Sequence, residues 1–115
     1  MNLENLKKQI INNFRSFNPE KIILFGSMVS DNWDEESDVD IIIVYNTEKS
    51  FLNRLKELYE KWSIPKAVDI LAYTPSEFVE MASSNYFVQD ALKNGEMIYE
   101  RSKERINAMA PSSQG

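Results

Sequence analysis

The chain contains no cysteine and no histidine among its 115 residues. Without cysteine there is no disulfide framework and no thiolate metal site. Without histidine there is no Ser-His or Cys-His catalytic unit and no His-ligated zinc. Any chemistry must therefore rest on carboxylates, hydroxyls, amines, backbone N–H groups or a bound metal. Positive charge is in deficit: 13 Lys and Arg stand against 18 Asp and Glu, a net charge of −5. Phosphate contacts need a basic face, so a nucleic-acid partner is not expected. The balance suits a basic protein partner better. No apolar run approaches the length of a membrane span, and no membrane association is expected. The start, Met1-Asn2-Leu3-Glu4-Asn5, lacks a signal-peptide pattern, so a cytoplasmic location is the default expectation.

What is present is an ordinary globular composition, 43% hydrophobic and 27% charged, at a length that suits one compact domain. Leu3, Leu6, Ile10, Ile11, Phe14 and Phe17 recur at helical spacing and predict an amphipathic helix of about four turns, closed by Pro19. Lys21 to Phe25 reads as a short buried strand, and Val39 to Tyr45 as a second, nearly continuous apolar one. Asn46-Thr47 resembles a turn into a helix from about Ser50 to Trp62, with Phe51, Leu55, Leu58 and Tyr59 on one face, broken by Pro65. Ala67 to Ala72 is a third strand. Thr74-Pro75-Ser76-Glu77 has the form of a helix start, with Thr74 as N-cap, Pro75 at the first helical position and Glu77 at the third. Phe78 to Leu92 reads as mostly helical with a break near Ser83-Ser84-Asn85, ended by Asn94-Gly95. Met97-Ile98-Tyr99 is a short final strand. Strands and helices alternate, which predicts an α/β or α+β layer fold. Residues 1–100 form one expected domain; 101–115 read as a charged extension ending in a disordered tail.

The chemistry concentrates in one stretch. An apolar run ends in Gly26-Ser27, ten polar-rich residues follow, and a second apolar run opens on Asp38-Val39-Asp40. Residues two apart on a strand point to the same face, so the Asp38 and Asp40 carboxylates can approach one metal together. Two like charges that close are costly unless a cation neutralises them. Oxygen-only ligands favour Mg²⁺ or Mn²⁺. Asp69, set among Ala67, Val68, Ile70 and Leu71, is expensive to bury alone and reaches the same site if the third strand lies beside the second. Glycine lets backbone approach a phosphate closely, and the Ser27 hydroxyl and nearby N–H groups can donate to it. A helix beginning after Ser27 would add its positive end. Ser37 is a further candidate nucleotide contact.

Each feature also has a plainer reading. Gly-Ser after a strand is commonly a turn. Asp-x-Asp is commonly a solvated strand start, and a lone strand aspartate an edge residue facing water. Asp31, Asp34, Glu35 and Glu36 read as a solvated loop, Ser37 as a cap within it, and Trp33 as a packed or partner-facing aromatic. It is the order of the motifs, between apolar strands, that favours the functional reading.

Gly26-Ser27, ten residues, then Asp38-Val39-Asp40 resembles the signature of the polymerase-β-like nucleotidyltransferase superfamily. The short length, the leading amphipathic helix, Asp69 and the closing Asn94-Gly95-Glu96-Met97-Ile98-Tyr99-Glu100 resemble its minimal single-domain prokaryotic members, over roughly residues 1–100. The resemblance implies a small mixed sheet flanked by helices. It implies that Gly26 and Ser27 hold the β- and γ-phosphates of a nucleotide. Asp38 and Asp40 would bind two Mg²⁺ ions, and Asp69 would assist one metal and the incoming hydroxyl. Many minimal members pair with a helical protein of the HEPN type and act as antitoxins, moving AMP from ATP to a tyrosine of the toxin. Relatives often carry an arginine soon after Gly-Ser. Here Met28, Val29, Ser30 and Asp31 fill that stretch and no basic residue stands between Ser27 and Lys49, so a cation must come from elsewhere in the fold, from metal or from a partner.

The mechanism expected is in-line attack of an acceptor hydroxyl on the α-phosphorus of a nucleoside triphosphate. A chain this short has little room for an acceptor-recognition domain, which points to another protein or a second copy as platform. Two alternatives stand beside it. One is a non-catalytic module that neutralises a partner by binding. The other is an aminoglycoside-type transferase acting on a small hydroxylated molecule.

Overall fold

The computed structural model describes residues 2–30, 34 and 36–101. The predicted tail, Asp31, Trp33 and Glu35 fall outside them. The elements in order are α1 (Leu3–Phe14), β1 (Lys21–Phe25), β2 (Val39–Val44), α2 (Phe51–Lys61), β3 (Val68–Tyr73), α3 (Pro75–Ser84), α4 (Tyr86–Asn94) and β4 (Glu96–Glu100). Two 3₁₀ turns, Arg15–Phe17 and Gly26–Val29, follow α1 and β1.

The helix boundaries follow from side-chain caps. Asn2 accepts from the Asn5 N–H, Ser50 from Asn53 and Asn85 from Val88. Thr74 and Glu77 form the reciprocal capping box that the sequence predicts, with Pro75 inside the first turn. Asn85 ends α3 and caps α4, which is the predicted break.

The four strands form one mixed sheet in the order β3-β2-β1-β4. β1 pairs antiparallel with β2 and β4, and β2 pairs parallel with β3 through the α2 crossover. Both faces are covered, which is why the central strands read as unbroken apolar runs. On one face Ile22, Leu24, Val39, Ile41, Ile43 and Ala72 pack under Leu6, Ile10 and Phe14 of α1 and Leu58 of α2. On the other, Ile23, Ile42 and Val44 pack under Phe78 of α3 and Val88 and Ala91 of α4. The expected mixed sheet flanked by helices is the fold observed.

The α2 face differs from its reading in the sequence. Its buried residues are Arg54 and Leu58, while Phe51 and Tyr59 are about two-fifths exposed. The reason lies at the edge of the sheet. β3 is an outer strand whose outward backbone groups need partners. Arg54 Nη1 donates to the Ala72 carbonyl at 3.2 Å, and the Tyr59 hydroxyl accepts from the Ile70 N–H at 3.1 Å. Arg54 also donates to the Lys49 carbonyl and, through both terminal nitrogens, to Glu77 at 2.7 and 3.1 Å. An arginine is tolerated inside because its donors are matched.

Candidate active site

Asp40 and Asp69 are direct partners in the parallel β2–β3 ladder. Neighbouring strands lie about 4.8 Å apart, so paired side chains on one face stand side by side. Strand alternation puts Asp40 on the same face as Ile42 and Val44, the face of α3 and α4, at the end of the sheet. Asp40 is half-buried and Asp69 exposed. Burial raises the Asp40 carboxyl above the usual aspartate range. The adjacent Asp69 and then Asp38 push it further the same way. No lysine or arginine is among the groups that shift it. Asp38 lies just before β2, exposed, and close enough for its charge to act on Asp40.

Gly26 completes the arrangement. Phe25 is the register partner of Asp40, so the chain turns off β1 directly beside the Asp40 side chain. Gly26 has φ 78°, in the left-handed region that favours glycine. A Cβ there would overlap Asp40 Oδ2. Ser27 is exposed, and its carbonyl accepts from the Ser30 N–H at 3.1 Å and Oγ at 2.9 Å. The helix considered after Ser27 is instead the single 3₁₀ turn Gly26–Val29, so there is no long-helix N-terminus at this point. The Ser37 hydroxyl accepts from the Asp34 N–H at 3.0 Å, and the Ser37 N–H donates to the Asp34 carbonyl at 3.1 Å. Ser37 is thus hydrogen-bonded within the loop that leads to Asp38.

The structure therefore brings Asp40, Asp69 and Gly26 together, with Asp38 nearby. Among the described residues no three acidic side chains are already gathered as a metal-ion ligand set. Beside the aspartates lies an open cleft of about 470 Å³, walled by Phe25, Tyr59, Tyr73 and Phe87 as well as Asp40 and Asp69. A second cleft, about 420 Å³, lies on the other side of Phe25 and is bounded by Gly26, Ser30, Asp90 and Asn94. Both are within the size range of small-molecule sites.

The sequence matches the family described as Polymerase beta, Nucleotidyltransferase over residues 8–104. The chain belongs to this family. Two proteins of Methanocaldococcus jannaschii, both named as candidate protein adenylyltransferases, are similar to it. MJ0604 is 32% identical over 103 residues, covering 86% of this chain and 100% of its own length. MJ0435 is 31% identical over 74 residues, covering 64% and 80%. Among solved structures, a candidate nucleotidyltransferase from Sulfolobus solfataricus superposes with a TM-score of 0.59 at 22% identity, over 88% of this chain and 82% of that one. A toxin–antitoxin structure with AMP-PNP gives 0.60 at 21%, over 94% and 85%. A mutant of the toxin–antitoxin MntA–HpeT gives 0.57 at 19%, over 94% and 84%. These likenesses establish the nucleotidyltransferase fold.

Reading the sequence of this nucleotidyltransferase did not find the aromatic wall of its aspartate cleft. Tyr59 looks like one more apolar-face residue of α2, and Phe87 like one more helical aromatic. Only the pairing of β3 with β2, and the edge-to-face packing of Phe87 on Phe25 with centroids 5.3 Å apart, brings them to the carboxylates. Tyr73 follows Asp69 at even spacing on β3, so its presence on the same face was the one available signal.

Proposed function

We propose that this nucleotidyltransferase moves a nucleoside monophosphate, AMP from ATP, onto a tyrosine hydroxyl of a HEPN-type helical partner, and so acts as the antitoxin of a toxin–antitoxin pair in the cytoplasm. The observation that carries the reading is the Asp40–Asp69 pair, in register on adjacent strands with Gly26 closed against Asp40. The names of the two archaeal relatives and the toxin–antitoxin assemblies among the fold neighbours support the choice of acceptor.

The donor set fits a divalent cation. It is made of carboxylate oxygens alone, and the like charges that raise Asp40 are those a cation would offset. Asp40 and Asp69 would hold Mg²⁺, with Asp38 completing the set for two ions. Bound there, Mg²⁺ supplies charge neutralisation and makes a hydroxyl easier to deprotonate. The rest falls to the chain. Gly26 presents backbone without a side chain in the way, and Ser27 donates to the β- and γ-phosphates. Ser37 serves nucleotide binding through the turn that leads to Asp38. The acceptor oxygen bonds to the α-phosphorus as the bond from that phosphorus to the bridging oxygen breaks. Pyrophosphate leaves, and the hydroxyl proton passes to Asp69.

The lack of any basic residue between Gly26-Ser27 and Lys49 favours one second reading, a module that neutralises its partner by binding alone. Incubating chain and partner with α-labelled ATP and Mg²⁺ separates the two. Covalent label on the partner supports transfer, and a stable complex without label supports the module.

A further inference from the structure

We infer that Tyr59 is a substrate-positioning residue of this nucleotidyltransferase, donating its hydroxyl proton to a non-bridging phosphate oxygen of the bound nucleotide. The inference rests on the nucleotidyl-transfer reading and adds a donor to it.

The geometry starts at the outer edge of β3. Ile70, the residue after Asp69, points its N–H away from the sheet, and the Tyr59 oxygen accepts it at 3.1 Å. A phenol has one proton to donate besides its accepting lone pairs. With the oxygen fixed by the backbone, that proton is directed elsewhere. Among the described residues no acceptor takes it, and Tyr59 shares the 470 Å³ cleft with Asp40 and Asp69. The side chain is 41% exposed, so the cleft can be filled up to it.

Chemistry selects the recipient. Phosphate oxygens are acceptors only, and a triphosphate entering this cleft meets carboxylates. No lysine or arginine is among the residues lining the cleft, and Arg54 and Lys49 of the neighbouring α2 region pair with Glu77 and Glu57. A neutral O–H donor held by the strand that carries Asp69 suits a polyanion without adding a charge that would compete for the aspartates. Because the anchoring bond is to backbone one residue from Asp69, the donor and that carboxylate keep a fixed relation. No basic residue stands between Gly26-Ser27 and Lys49. A phenol at this wall replaces part of what such a residue supplies.

The test separates the two bonds of one oxygen. Tyr59→Phe removes both. O-methyltyrosine placed at residue 59 keeps the acceptor for Ile70 and removes the donor. 4-Aminophenylalanine at 59 restores an N–H donor. Affinity for Mg–ATP is read by titration calorimetry and transfer by labelling of the partner, with amide exchange at Ile70 recorded in parallel. We expect Phe and O-methyltyrosine each to weaken Mg–ATP affinity and kcat/KM about tenfold. Ile70 protection should be lost only in the Phe variant, and the amino analogue should recover most of the affinity. Unchanged affinity with O-methyltyrosine, or losses that follow Ile70 protection alone, would overturn the inference while wild-type binding and transfer leave the nucleotidyl-transfer reading intact. A wild-type chain that neither binds Mg–ATP nor labels its partner overturns both.

Discussion

Gly26 lies so close to the carboxylate of Asp40 that no side chain fits between them. A Cβ on Gly26 would overlap Asp40 Oδ2 and stand 3.2 Å from its Cγ. The backbone there is also in the left-handed region, at φ 78°. Gly26→Ala therefore meets two obstacles, a strained φ and a displaced carboxylate. We expect a loss of about 1–2 kcal/mol in urea unfolding and a fall in transfer of at least a hundredfold. Full labelling of the partner by this variant would show that the Asp40 position is not critical.

The aspartate pair should trade stability for activity. The folded-state pKa of Asp40 is raised, by burial first and then by Asp69 and Asp38. The folded chain holds that proton more tightly than the unfolded one. The associated stability is complete below the unfolded pKa and is lost as pH rises through the folded pKa. Asp40→Asn, neutral at every pH, should be more stable than the parent by about 1 kcal/mol at pH 7. The gap should close in acid. Transfer should be abolished in Asp40→Asn and in Asp69→Asn. Thermal melts from pH 3 to pH 7, run beside the labelling assay, check both halves.

Divalent metal should be felt in the fold before any substrate is added. Mg²⁺ binding only the folded chain raises its stability by mass action. We expect millimolar Mg²⁺ to raise the Tm of the parent, with chelator reversing the rise and stopping transfer. Asp40→Asn and Asp69→Asn should show little or no rise. An equal Mg²⁺ response in all three proteins places the ion elsewhere.

Arg54 and Glu77 make a separate, structural prediction. Hydrogen bonds from Arg54 and then Thr74 hold the Glu77 carboxyl below the usual glutamate range. A depressed folded pKa gives stability that is present above the unfolded pKa and lost as pH falls through the folded one. Arg54→Met leaves the Ala72 and Lys49 carbonyls without their donor and Glu77 without its partner. Glu77 is 44% exposed on its side chain, which lessens the penalty. A destabilisation of about 2 kcal/mol at pH 7 follows, shrinking toward pH 3. Denaturant midpoints across that range measure it.

Much of this fold is legible in the amino-acid order. Caps at Thr74 and Gly95, the break at Asn85 and the apolar runs at 21–25 and 39–44 are local signals, and local chemistry sets them. The meeting of Asp69 with Asp40 is different. It depends on β3 lying parallel and in register beside β2, which reading the sequence supplies only as a condition. The role of Arg54 was hidden for a related reason. A charged residue on a helix reads as solvated until the neighbouring strand is seen to be an outer one. Tyr59 shares a helix face with Leu55 and Leu58 in the sequence, and nothing in that spacing shows that its hydroxyl accepts from the Ile70 N–H at the sheet edge. The short turn at Gly26–Val29 could not be told from a helix start, since both begin with the same residues.

The covering of β3 by Arg54 and Tyr59 also limits how this chain can assemble. An outer strand with free amide and carbonyl groups invites a foreign segment to extend the sheet. Here the Ile70 N–H and the Ala72 carbonyl are already taken by side chains. A partner approaching that flank meets helix α2 rather than bare backbone. A strand adding at that edge would have to displace both side chains from these two groups.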